Sequence, residues 1–187
     1  MRRALIPTVI AVATLAGCAG TVSTVTYPFP YTSSAARVYL QDAATRGPML
    51  LQVRDNPFPE DVARPIAEAA SRTSIGISVR FTANPAEAAK PDYWMVVQFD
   101  PEPGASSAGV CDPRRPVGRA SSPGRLNALV VFCHASGPIL SLTAQAPRPE
   151  HADSPIIREL TEQAMLRMFT PEPQDRDNRR WFLLGSM

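Results

Sequence analysis

The chain has 187 residues with 19 basic and 17 acidic side chains, a formal charge of only +2, and Arg2 and Arg3 at its start account for that excess. Beyond them it is neutral, which removes the general electrostatic attraction that drives nucleic-acid binding. Its length fits one ordinary domain with a core that needs no metal staple, and its 20 prolines point to short elements joined by stiff turns.

The first 17 residues read as an export signal. Arg2 and Arg3 form a positive n-region, and Ala4 to Thr14 make an apolar run that falls well short of the roughly 20 residues needed to cross a bilayer. The run ends in Leu15-Ala16-Gly17-Cys18, which resembles the lipobox of bacterial lipoproteins. That resemblance implies diacylglyceryl transfer to the Cys18 sulfur, cleavage after Gly17 and acylation of the new N-terminus. Two or more acyl chains, at about 0.8 kcal/mol per buried methylene, hold a protein on a membrane stably. By the same resemblance, Ala19 after Cys18 favours the outer membrane over the inner, with the chain facing the periplasm. An ordinary secretory signal, with Cys18 following small residues by chance, is the competing reading.

Residues 18–33 then read as a lipid-anchored tether, and residues 34–187 as one periplasmic domain. Tyr27, Phe29 and Tyr31 alternate with Pro28 and Pro30, which favours an extended path lying on the domain, the membrane or a partner. Ser34 to Arg46 allows a helix stopped by Gly47-Pro48. Met49 to Arg54 reads as a strand ended by Asn56-Pro57-Phe58-Pro59. Glu60 to Ser71 carries Val62, Ile66 and Ala69 or Ala70 at helical spacing, with Pro65 fitting only in a first turn or at a kink. Ile75 to Phe81 alternates apolar and polar residues as a half-buried strand does. Asn84-Pro85-Ala86-Glu87 starts a short helix that must stop before Pro91.

Tyr93 to Phe99 is almost continuously apolar, as in a central strand covered on both faces. Ala128 to Cys133 and Ile139 to Ala144 form a hairpin around Ala135-Ser136-Gly137-Pro138. Asp153 or Ser154 caps a last helix with Ile157, Leu160, Ala164 and Met168 on one face and Pro171 beyond its end. The order predicts an α+β fold, a single sheet of about five strands with helices packed on one face. Residues 50–99, above all the stretch NPAEAAKPDYWMVV, are similar to the αβ modules of small envelope accessory lipoproteins attached to transport and export machines, a likeness that carries no catalytic motif with it.

Cys111 and Cys133 are an even pair in an oxidising compartment and predict a disulfide stapling the loop 100–127; free thiols are the alternative, and no Cys-x-x-Cys motif points to redox work. Arg114, Arg115, Arg119 and Arg125 crowd the Gly/Pro/Ser-rich part of that loop. Guanidinium forks suit phosphates and carboxylates, so these four are candidate contacts for anionic envelope material, against the plainer reading of a solvated loop. The two histidines, His134 and His151, fit no metal-ligand spacing with the cysteines, so neither metal nor cofactor is expected. Asp100 and Glu102, at the end of the central strand, are a candidate carboxylate pair for glycoside cleavage, and they read more simply as a solvated loop entry. The apolar end Trp181 to Leu184 either returns to the sheet or binds a partner.

These readings converge on a non-catalytic accessory or interaction module of the cell envelope, held to the bilayer through acylated Cys18 and meeting another envelope protein, with no nucleic acid involved. The competing class is a periplasmic hydrolase or small-ligand carrier, which requires Asp100, Glu102, His134 or His151 to converge on a pocket.

Overall fold

A computed structural model describes residues 22–28, 32–116, 118–120 and 122–170. Cys18, the export signal, Phe29, Tyr31 and the Trp181–Leu184 tail lie outside the described residues. In chain order the elements are β1 (Ser23–Pro28), α1 (Ser33–Ala44), β2 (Met49–Arg54), α2 (Ala63–Arg72), β3 (Phe81–Thr82), a 3-10 turn at Pro85–Glu87, β4 (Tyr93–Phe99), α3 (Ser107–Cys111), β5 (Arg125–His134), β6 (Gly137–Pro147) and α4 (Pro155–Phe169). They form an α+β fold around one mixed sheet of six strands in the order β1-β6-β5-β4-β2-β3.

The apolar runs of β4 and β5 explain the layering, because a strand without a polar face needs cover on both sides. Met95, Val97, Phe99, Val130 and Phe132 point into the main core, where α1, α2 and α4 close over them with Leu40, Ile66, Leu160, Met165 and Phe169. Val96, Leu129, Val131 and Cys133 point the other way, against Val110 and Cys111 of α3. The sheet therefore has six strands rather than about five, and α3 lies on the face opposite the other three helices.

The sixth strand comes from the segment read as tether. β1 pairs antiparallel with β6 from Ser23 opposite Gln145 to Pro28 opposite Leu140. Its Thr and Val content suits a pleated surface, and Pro28 is tolerated because β1 is an edge. The expected strand over Ile75 to Phe81 shrinks to Phe81 and Thr82, parallel to Met49 and Leu50. Ile75, Val79 and Phe81 are buried as their alternation suggests, but the segment meets β2 only at its end, where the Arg80 carbonyl accepts from Met49 N–H at 2.8 Å. Arg37 donates to the Ile75 carbonyl, and Ser71 Oγ accepts from Phe81 N–H at 2.8 Å. Gly76, at φ +71°, turns the chain out of an extended path.

The remaining boundaries follow local chemistry. Thr32 Oγ1 caps α1 and Ser154 Oγ caps α4, while Pro65 falls within the first turn of α2. Glu60 and Asp61 precede α2 rather than opening it. Asn84 caps the 3-10 turn through Ala86 N–H.

Candidate functional site

The end of the sheet where β4 and β6 finish and β5 starts carries a buried ion pair. Asp100 is 0% exposed, and its backbone is left-handed at φ +43°, a conformation that Asp adopts more readily than most residues. Its Oδ2 lies 2.6 Å from Arg148 Nη2 and 4.0 Å from Arg119 Nε, and its Oδ1 accepts from Asn127 N–H at 3.2 Å. The Asp100 carbonyl accepts from Ala120 N–H at 2.8 Å, and Arg148 Nη2 also donates to the Arg125 carbonyl at 2.8 Å. One carboxylate thus ties together β4, β5, the residue after β6 and the arginine-rich loop. Such a pair stabilises weakly while intact, but removing one partner strands a buried charge. Asp100 is a clamp, not the solvated loop entry that its sequence context suggests.

On the α3 face, Cys111 at the helix end is disulfide-bonded to Cys133 in β5, with a Cα–Cα distance of 5.7 Å. Ser106 caps α3 by accepting from Gly109 N–H at 3.1 Å. Beyond α3, Arg54 of β2 donates to the Asp112 carbonyl at 3.0 Å and to the Arg115 carbonyl at 3.5 Å, and Asp112 Oδ1 accepts from Arg114 N–H at 2.9 Å. These bonds hold the backbone of the loop and leave its guanidinium groups outside. Arg114, Arg115, Arg119 and Arg125 are all exposed. Only Arg119 reaches a carboxylate; the other three form no ion pair among the described residues.

Between α3 and the β5–β6 surface runs an open groove of about 570 Å³, lined by Glu102, Ala105, Ser106, Leu129, Ser141 and Thr143. Its floor is largely apolar, with Glu102 at the rim.

The opposite end of the sheet holds a second polar group. Lys90 Nζ lies 2.7 Å from Asp42 Oδ2 and 5.8 Å from the Tyr93 ring centroid, and His134 packs on Tyr93 at 4.9 Å. His134 Nδ1 lies 2.8 Å from Ser136 Oγ and accepts from Ser136 N–H at 3.2 Å, which closes the β5–β6 turn. The hydrogen bond from Lys90 holds the Asp42 carboxyl below its ordinary range, and burial raises the Tyr93 phenol. Thr82 and Asn84 lower Glu87 in the same way by donating to its carboxylate.

The structure does not bring the residues of a hydrolytic reading together. Asp100 is sealed at one end and Glu102 stands on the rim of the groove. His134 is seven residues along β5 from Asn127, the partner of Asp100, or about 23 Å at the rise of a strand. His151 lies on the far side of the sheet, 3.8 Å from Glu60. No group of three metal-ligating side chains occurs among the described residues. Arg148 is the residue that sequence reading missed; nothing in Pro147-Arg148-Pro149 marks it as the partner of a carboxylate 48 positions away.

No protein-family model matches the chain, and neither does any curated protein. Among solved structures it is similar to the PelC dodecamer of Paraburkholderia phytofirmans in two crystal forms, with 14% identity in each. The match covers 82% of this chain and 99% of that one, with TM-scores of 0.37 and 0.39. Likeness at this level assigns neither a family nor a function.

Proposed function

We propose that this chain is a lipid-anchored protein of the bacterial cell envelope, acylated at Cys18, whose domain works as a non-catalytic accessory or interaction module on the periplasmic side, on the outer membrane in preference to the inner. The observation that carries this reading is Leu15-Ala16-Gly17-Cys18 at the end of a short apolar run behind two arginines. The dispersal of Asp100, Glu102, His134 and His151 supports an interaction role over the competing hydrolase or carrier. Anchoring confines the domain to two dimensions and raises its effective concentration toward a protein on the same surface, which is the physical basis of scaffolding.

In-cell cross-linking combined with fractionation tests this. The native chain should sediment with membranes and join a discrete protein partner, and Cys18→Ser should move to the soluble fraction and lose that partner while remaining folded. A Cys18→Ser chain that stays with membranes and keeps the same cross-link would overturn the reading.

A further inference from the structure

The assignment of Cys18 as the anchor, on which this inference rests, has a geometric consequence once β1 is in place. Only residues 19–22 separate Cys18 from Ser23, the first residue of β1. Five links of chain span at most about 18 Å even when fully extended. That is too short for a spacer that lets the domain turn freely above the bilayer, so the end of the sheet where β1 begins must stay close to the headgroups.

The strand register says which residues share that end. Ser23 is opposite Gln145, Gln145 is opposite Asn127, and Arg125 is opposite Pro147. Phe99 is opposite Ala128, Arg54 is beside Gln98, and Pro101 bridges to Arg119. β5 is the second strand in from β1, which places Arg125 about 10 Å sideways from the line of β1 at the usual strand spacing. The loop layer on the α3 face here presents Arg54, Arg114, Arg115, Arg119 and Arg125 against Asp55, Glu102 and Asp112. The other acids of this end, Glu60, Asp61, Glu150 and Asp153, flank α2 and α4 on the opposite face of the sheet. The β5–β6 turn, with His134 and Ser136, is at the far end.

We propose that the end of the sheet bearing the start of β1 and the arginine loop is the bilayer-facing surface of the domain, with Arg114, Arg115, Arg119 and Arg125 set against the phosphates of anionic phospholipid headgroups. Three observations converge on it: the short link to Cys18, the shared end in the register, and four exposed guanidinium groups of which only that of Arg119 reaches a carboxylate among the described residues. Guanidinium forks bind phosphate bidentately, and basic groups close to an anionic leaflet are drawn to its negative surface potential.

Photo-cross-linking of the full, acylated chain in its own membranes tests the proposal. A benzophenone amino acid is placed at position 125 or 114 in one set and at position 136 in the other, all exposed sites. Phospholipid adducts should form several-fold more at 125 and 114 than at 136, and anionic lipids should be enriched among them relative to their share of the membrane. Equal adducts at both ends, or more at 136, overturn the orientation; adducts that merely mirror bulk lipid composition overturn the role of the arginines. The mass of the Cys18 peptide from the same preparation separates the two levels. An acylated peptide with the wrong adduct pattern sinks the orientation alone, and an unacylated one sinks the anchoring as well.

Discussion

Asp100 shows how one residue can hold a loop that has little core of its own. Its fully buried carboxylate takes Arg148 Nη2 at 2.6 Å, so the half-buried guanidinium neutralises a charge that would otherwise be buried alone. Arg148→Met should destabilise the fold by about 3 kcal/mol, the scale for breaking one side of a buried pair. Asp100→Asn in the same chain should recover part of that loss, because the amide keeps an acceptor for Asn127 N–H and carries no charge, and the coupling between the two changes should exceed about 1 kcal/mol. Urea unfolding of the two single variants and the double variant measures both quantities. Strictly additive effects, or a loss within about 0.5 kcal/mol for Arg148→Met, would make the pair an incidental surface contact. None of this was legible in the sequence, where Asp100-Pro101-Glu102-Pro103 has the composition of an exposed turn and the partner lies 48 residues on.

At the scale of elements, legibility followed length and pattern. β2, β4 and the capped α4 coincide with the periods and caps that predict them, and the β5–β6 hairpin is where its turn residues put it. β3 is shorter than expected because alternation reports burial, not pairing: Ile75 and Val79 are in the core, yet the Ile75 carbonyl is taken by Arg37 and only Phe81 and Thr82 pair with β2. α3 has only five residues, too few for a helical period to show, and its one signal was Ser106 ahead of a small apolar run. β1 was hidden by Pro28, which an edge tolerates. The disulfide was legible from the count of cysteines, and α3 gives it its purpose, for a helix this short has little stability without a covalent tie to β5. Replacing Cys111 and Cys133 by alanine closes no loop in the unfolded chain and should cost about 3 kcal/mol for a separation of 22 residues. Hydrogen exchange should then accelerate in α3 and the arginine loop while β4 and β5 stay protected. Unchanged protection of α3 would show that packing on Val96 and Val131 suffices.

For the whole molecule, the sheet has two unlike ends. One carries the link to Cys18, the Asp100 clamp and the arginine loop; the other carries the β5–β6 turn with Lys90, Tyr93 and His134. With only residues 19–22 between the anchor and β1, the proposed acylation would fix which end meets lipid and which end is free to meet a protein partner. The candidate site was legible in the sequence as residue types but not as a place, because only the register gathers Arg119, Arg125 and Ser23 at one end. The account as a whole rests on Cys18, and intact-mass and fragment mass spectrometry of the chain purified from membranes measures it most directly. The mature product should begin at Cys18 with a diacylglyceryl thioether on its sulfur and a further acyl group on its amine. A product that begins elsewhere, or that carries an unmodified Cys18, would contradict the account.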